Sequence, residues 1–311
     1  MSAWSALLRL ALLGSALRIA APILYAALAS VMSERGGVVN IGVEGTMLLG
    51  CFVAVVGSHY WGPWGGVLAA MVLGGLLGLL HAYLSVTVKA NQIVSATAIN
   101  IMAVGLPNLI VPVVWKGHRA VTPLVPHLDD IRLPIIADLP VLGPILGKQN
   151  PLVYLALILV PVLQFVLFRT RFGLRLRAVG EHPRAADTVG IDVARMRYIG
   201  VIIGGVLAGM GGALLSIGFV SQYSAAMTQG RGFMGLAAMI FGNWKPAGAL
   251  LACLIFGLAD AFQAGAQAAG VLPVSPRLFL SLPYVLTLIA LAGLVGKTVA
   301  PAADGKPYEK G

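Results

Sequence analysis

Residues 45–88 read GTMLLGCFVAVVGSHYWGPWGGVLAAMVLGGLLGLLHAYLSVTV, without one Asp, Glu, Lys or Arg. A membrane-spanning helix needs about 20 apolar residues, so a run of this length holds two passes. The break between them is Gly62-Pro63-Trp64-Gly65-Gly66, a turn signal with tryptophan at interface depth. Further charge-free runs extend over 90–115, 149–168, 198–230, 232–244, 246–259, 261–276 and 278–296. The pattern predicts spans at 10–32, 42–60, 65–88, 92–114, 151–168, 198–220, 246–267 and 279–297. The leftover stretch 230–243 reaches only about 20 Å as a helix, short of a hydrocarbon core of roughly 30 Å. It reads as a half-helix or re-entrant element, continued after Asn243-Trp244-Lys245-Pro246. The expected fold is an all-α polytopic bundle of about eight or nine membrane segments, a single domain over 1–311.

Composition agrees. Of 311 residues, 59% are hydrophobic and 10% charged, and the mean hydropathy is +0.91. A soluble domain carries about a quarter charged residues, so soluble enzymes and nucleic-acid binders are excluded. The net charge of +10 is then a topology signal. Cys51 and Cys253 both lie in apolar runs, which implies no disulfide framework. No small-residue cleavage site follows the first apolar stretch, which is expected to be retained as a span.

Seven arginines (169, 171, 175, 177, 184, 195 and 197) crowd into 169–197, against Glu181, Asp187 and Asp192. By the positive-inside rule this loop is cytoplasmic, and so are Lys89 and the tail 298–311. The proline-rich loop 115–150 balances Lys116, Arg119, Arg132 and Lys148 with Asp129, Asp130 and Asp138. It fits the extracytoplasmic side, as a stiff irregular cap instead of helix. The N-terminus has two readings. Counting passes back from Lys89 puts it outside, whereas Arg9 and Arg18 pull it inside; a break near Pro22 or an incomplete crossing after Gly36-Gly37 would reconcile them.

Within the basic loop, Pro183 suits a first helical turn and Gly190 a left-handed stop. A helix of about two turns lies between them, with Ala185 and Ala186 offering a smooth face, and Asp192 caps the next helix. So short a helix is marginal in water, so something should pack on it. A solvated loop with a helical turn is the plainer reading.

Gly180-Glu181-His182-Pro183-Arg184-Ala185-Ala186, followed by Gly190-Ile191, resembles the coupling-helix motif of ABC importer permeases. The match is to the branch for branched-chain amino acids, ribose-type sugars and nucleosides, which usually has Asn at the position of His182. Residues 33–45 (SERGGVVNIGVEG) are similar to the opening signature of the nucleoside and simple-sugar permeases. Residues 204–213 (GGVLAGMGGA) resemble the branch's small-residue helix, and Gly305-Lys306-Pro307-Tyr308 its short ending. The resemblance covers nearly the whole chain. It implies a bacterial-type cytoplasmic membrane protein that moves a nucleoside, or a simple sugar such as ribose, by alternating access. It also implies an ATP-binding subunit docked on 181–191, a second homologous permease and an extracytoplasmic substrate-binding lipoprotein.

Glu44 and Asp260 are the carboxylates within the apolar segments, where an unpaired charge is costly. Asn40 and Glu44 stand four apart, on one helix face. Glu44 either braces a helix break through backbone N–H groups or touches substrate. Asp260, Gln263 and Gln267 make a stripe that lines the pathway or a subunit interface. Asn100, on a span also carrying Asn91, Gln92, Ser95, Thr97 and Asn108, and Gln222, beside Ser221 and Tyr223, suit a neutral hydroxyl-rich cargo. Each also suits helix-to-helix bonding. The pathway candidates are thus Asn40, Glu44, Asn100, Gln222 and Asp260. Gly205 with Gly209, and Ala208 with Gly212, form small-xxx-small pairs that read as close packing.

Histidines 59, 81, 118, 127 and 182 lack ligand spacing, so no metal site is expected. No phosphate-binding Gly-Lys-Ser/Thr loop occurs. The chain is expected to be non-catalytic and to bind no cofactor itself, with ATP and Mg on the partner ATPase. The alternative is an ion-coupled secondary transporter or channel with Glu44 and Asp260 at its centre.

Overall fold

The computed structural model describes residues 10–118, 120–140, 142–268 and 298–309. The fold is mostly helical. In chain order the helices are α1 (Leu10–Glu34), α2 (Val43–Ala82), α3 (Gln92–Val114), α4 (Pro134–Ala137), α5 (Gly143–Leu146), α6 (Pro151–Arg169), α7 (Arg171–Glu181), α8 (Pro183–Thr188), α9 (Val193–Ala213), α10 (Arg231–Phe241) and α11 (Pro246–Ala268). Wider π-type turns extend α2 over Tyr83–Thr87 and α9 over Leu214–Val220. Among the described residues, six of these helices are long and apolar enough to cross a membrane: α1, α2, α3, α6, α9 and α11. The predicted span 279–297 lies outside the described residues.

Helix α2 turns back on itself. Gly62 adopts φ 77°, ψ 175°, which a side chain would resist, and Pro63 restarts the helix. The second limb then runs down the first. A Cβ on Gly57 would stand 2.9 Å from both Gly66 and Ala69, and one on Gly66 would strike the Ala54 carbonyl. Helix α9 packs against both limbs and against α1. Its glycines let three backbones approach it: Gly205 and Gly209 meet the carbonyls of Gly74 and Ala70, Gly212 meets that of Met47, and Gly204 that of Ala29. Ala208 is buried among them. In a lipid solvent, apolar burial does not hold helices together, so close backbone contact carries this core.

The two ends differ in build. At one end, the described residues of 115–150 form a cap in which α4 and α5 are about one turn each, with a short ribbon of β1 (Ile131–Arg132) antiparallel to β2 (Lys148–Gln149). That ribbon qualifies the all-α expectation. The cap's extended part is bonded to the chain after α9 through Thr122 N to Tyr223 O, 3.0 Å, and Val125 N to Ser221 O, 2.8 Å. Arg18 ties α1 to it by donating to Asp130 at 3.1 Å and Gln149 at 3.2 Å. At the other end, Arg35 lies over Phe168, 5.7 Å from the ring centre, and the chain of Gly180 packs on the Arg35 carbonyl. Helix α1 runs unbroken through Pro22, so no break there reconciles the N-terminal charges.

Candidate functional site

The chain loses its helix between Glu34 and Val43, where Gly37 takes φ 83°. The segment is held instead by side chains from its neighbours. Gln92 accepts from the Val39 N–H at 2.8 Å, and His81 bonds the Val39 carbonyl at 3.0 Å and Ser95 at 2.6 Å. Asn100 accepts from Gly45 N at 2.7 Å and donates to the Ile41 carbonyl at 3.2 Å. Asn40 therefore sits before α2 starts, not on one helix face with Glu44. The four-residue spacing misled because Gly36-Gly37 and Gly42 release the backbone from helix there.

Glu44, in the first turn of α2, faces the start of α10. Its carboxylate accepts from Thr228 Oγ1 at 2.6 Å, Gly230 N at 2.9 Å and Gly232 N at 2.6 Å. An anion at a helix N-terminus satisfies orphan N–H groups and the positive end of the dipole. Two helix starts thus meet at one carboxylate. The predicted half-helix is α10, 11 residues long, followed by Asn243 and Trp244 at φ 53° before α11 begins.

Arg231, a residue that sequence reasoning passed over, opens α10 and donates to the Thr228 carbonyl at 3.3 Å. The signal for it was available, since Arg231 alone interrupts 198–244, otherwise free of charge. Asp260 is half-buried on α11, Gln263 is buried one turn on, and Gln267 is exposed. Gln222 is half-buried in the link 221–230, beside buried Tyr223, whose N–H donates to Thr122 at 2.9 Å. This centre holds polar backbone and side-chain groups at a break in the helices, where backbone that a membrane helix would bond internally is bonded by side chains instead.

At the far end, α7 and α8 form the predicted basic loop. Pro183 opens α8, and Gly190 at φ 80° closes it: Ile191 N donates to Ala186 O at 3.0 Å and Gly190 N to Asp187 O at 2.9 Å. This paired closure is the left-handed stop. Asp192 accepts from Arg195 N at 2.9 Å, so it caps α9. The His182 side chain makes no cap bond; its carbonyl accepts from Ala186 N instead, at 3.0 Å. Ala186 is buried, while Arg184 and Ala185 are exposed.

Sequence reasoning gave residues 298–309 no structural role. They lie across this loop. Ala303 N donates to Gly180 O at 2.9 Å, Ala302 N to Glu181 at 3.1 Å, and Tyr308 Oη to Asp187 at 2.9 Å. Arg197, almost wholly buried, donates to the Lys306 carbonyl at 2.9 Å. Asp304 shares a hydrogen bond with Glu34, and burial pushes its carboxyl up to about 6 despite the opposing pull of Arg197. A groove of about 740 Å³ remains between the segment and α8.

A family model described as the permease component of a branched-chain amino acid transport system matches residues 12–291. The chain belongs to this permease family. It is 41% identical over 305 residues to the guanosine ABC transporter permease protein NupQ of Bacillus subtilis, covering 94% of each chain. The same bacterium's permease protein NupP, also of guanosine transport, is 28% identical over 255 residues, covering 79% of this chain and 72% of NupP. The chain is 40% identical over 301 residues to the nucleoside ABC transporter permease protein NupC of Lactococcus lactis, covering 93% of each. It is 34% identical over 312 residues to a putative glucose ABC transporter permease protein, TsgC13, of Haloferax volcanii, covering 92% of each. No solved structure matches. The permease is a multi-pass protein of the plasma membrane and a transport subunit of an ABC importer.

Proposed function

We propose that this permease carries nucleosides into the cell as one half of a two-permease pathway, with a simple sugar such as ribose as the second choice of cargo. The observation that carries the reading is its 41% identity, over 94% of both chains, to a guanosine transporter's permease. In this reading the chain crosses the membrane nine times: α2 counts as two passes, the predicted span 279–297 as one, and residues 221–243, of which α10 is the helical part, as one. Residues 169–197 and 298–311 face the cytoplasm, and 115–150 faces outward, where a substrate-binding lipoprotein delivers the cargo.

Helix α8 is then the coupling helix. It seats in a separate ATP-binding subunit, which holds ATP and Mg, and 180–191 passes that subunit's closure to the bundle. A second, homologous permease completes the path. Asn40, Glu44, Asn100, Gln222 and Asp260 are its polar candidates on this side. Glu44 serves chiefly as a brace, because three donors already occupy its carboxylate.

The test is a mild-detergent pull-down of the tagged permease from its native membrane, with mass spectrometry of what co-purifies. Recovery of an ATPase and a second permease, both lost with Ala186→Pro, is the expected result. A lone chain under conditions that keep a known complex intact would contradict it.

A further inference from the structure

Residues 298–309 touch more elements than any one role as a terminus requires. Val299 N donates to Asn243 Oδ1 at 3.0 Å, at the turn that joins α10 to α11. Asp304 bonds Glu34 at the end of α1, and the same Glu34 accepts from Trp244 Nε1 at 2.7 Å. Arg35 holds this turn from the other side, donating to the carbonyls of Trp244 at 2.8 Å and Asn243 at 3.1 Å. Farther along, Ala302 and Ala303 bond the end of α7, Lys306 receives Arg197 of α9, and Tyr308 reaches Asp187 of α8. One short segment thus joins the turn behind α10 to the loop of α8.

The turn it grips is conformationally loaded. Asn243 and Trp244 both hold φ 53°, a region that residues other than glycine rarely adopt and keep only where their surroundings impose it. Helix α10 begins on Glu44 and ends at this turn, so a displacement of the turn is passed toward the polar centre. A hydrogen-bonded strap with an anchor at each end can carry such a displacement. A free tail cannot.

We propose that residues Val299–Glu309 are a tie that makes the α8 loop and the Asn243–Trp244 turn move as one, with Tyr308 and Asp304 as its positioning residues. This rests on the importer reading, because α8 must receive a push for the tie to transmit. Its consequence is that slackening the tie, with both anchors left in place, separates ATP hydrolysis from transport.

The experiment inserts a flexible Gly-Ser stretch of about six residues between Gly305 and Lys306 in the full chain. The complex is reconstituted in liposomes, and nucleoside uptake per ATP hydrolysed is measured. Tyr308→Phe, which removes only the hydroxyl, is measured alongside. Uptake by the unmodified complex tests the importer reading separately, and the ratio of variant to unmodified complex tests the tie. The insert is expected to lower uptake per ATP about tenfold with complex yield unchanged, and Tyr308→Phe to lower it by a smaller factor. An unchanged ratio in the insert would overturn the tie. If the insert prevents assembly, Tyr308→Phe decides: a lowered ratio upholds the tie and a normal ratio overturns it.

Discussion

Glu44, in the first turn of α2, accepts the backbone N–H of Gly232, in the first turn of α10, at 2.6 Å. The contact joins residues 188 positions apart and sets where the half-helix begins. Its worth comes from desolvation: away from bulk water, an unpaired N–H or carboxylate is expensive, so removing either partner costs more than the bond itself contributes.

Glu44→Gln replaces one accepting oxygen with a donor that faces the N–H groups of Gly230 and Gly232. The permease should lose on the order of 2 kcal/mol of stability, with uptake falling through misplacement of α10. Thermal unfolding of the purified complex in detergent measures this. An unchanged unfolding temperature would mean that the carboxylate is not a brace.

Gly232→Ala should be more damaging than its single methyl suggests. The new Cβ would stand 2.5 Å from the Glu44 Cα and 2.7 Å from its N, backbone that has no room to yield. Gly105→Ala is the control, since a Cβ there meets nothing within 4 Å. Overpacking of this kind costs about 1–3 kcal/mol, so the expected result is reduced membrane yield for the first variant and wild-type yield for the second. Gly205→Ala, which drives a Cβ into the Gly74 carbonyl, should resemble Gly232→Ala. Equal yields for all three would contradict the packing described for α9 and α10.

Docking of the tail should weaken as pH rises. Burial raises the Asp304 carboxyl from 3.8 to about 6, while Glu34 and Arg197 oppose that rise. The docked state therefore binds the proton more tightly than the free tail does. Docking is favoured most below 3.8, declines up to about 6 and levels off above. Protease accessibility of the tail should increase between about pH 4 and about pH 6, and Asp304→Asn should flatten that change. Equal accessibility across the range in the unmodified permease would remove Asp304 from the account.

What the sequence disclosed, and what it hid, follow from distance along the chain. Local grammar was readable: Gly62-Pro63 reverses α2, Pro183 and Gly190 bound α8, Asp192 caps α9, and the glycines of 204–212 admit neighbouring backbones. Asn40 was misplaced for a local reason, because periodicity was carried through glycines that end the helix. Contacts between distant residues left no trace. Nothing near Glu44 names Thr228 or Gly230, nothing near Arg18 names Asp130, and nothing in Gly305-Lys306-Pro307-Tyr308 shows that it lies on α7, α8 and α9. Charge rarity pointed to Glu44 and Asp260, and applied evenly it would have added Arg231.

The measurement that most directly tests the central claim is nucleoside uptake by liposomes holding the purified complex and its binding protein, with and without ATP, for the unmodified permease and for Ala186→Pro. The substitution removes the Ala186 N–H that bonds the His182 carbonyl and breaks α8 far from the polar centre. Uptake that requires ATP and disappears in Ala186→Pro, with the variant still in the membrane, is the predicted result. Uptake without ATP that follows an ion gradient and survives the substitution would contradict it and make Glu44 and Asp260 the centre of an ion-coupled carrier.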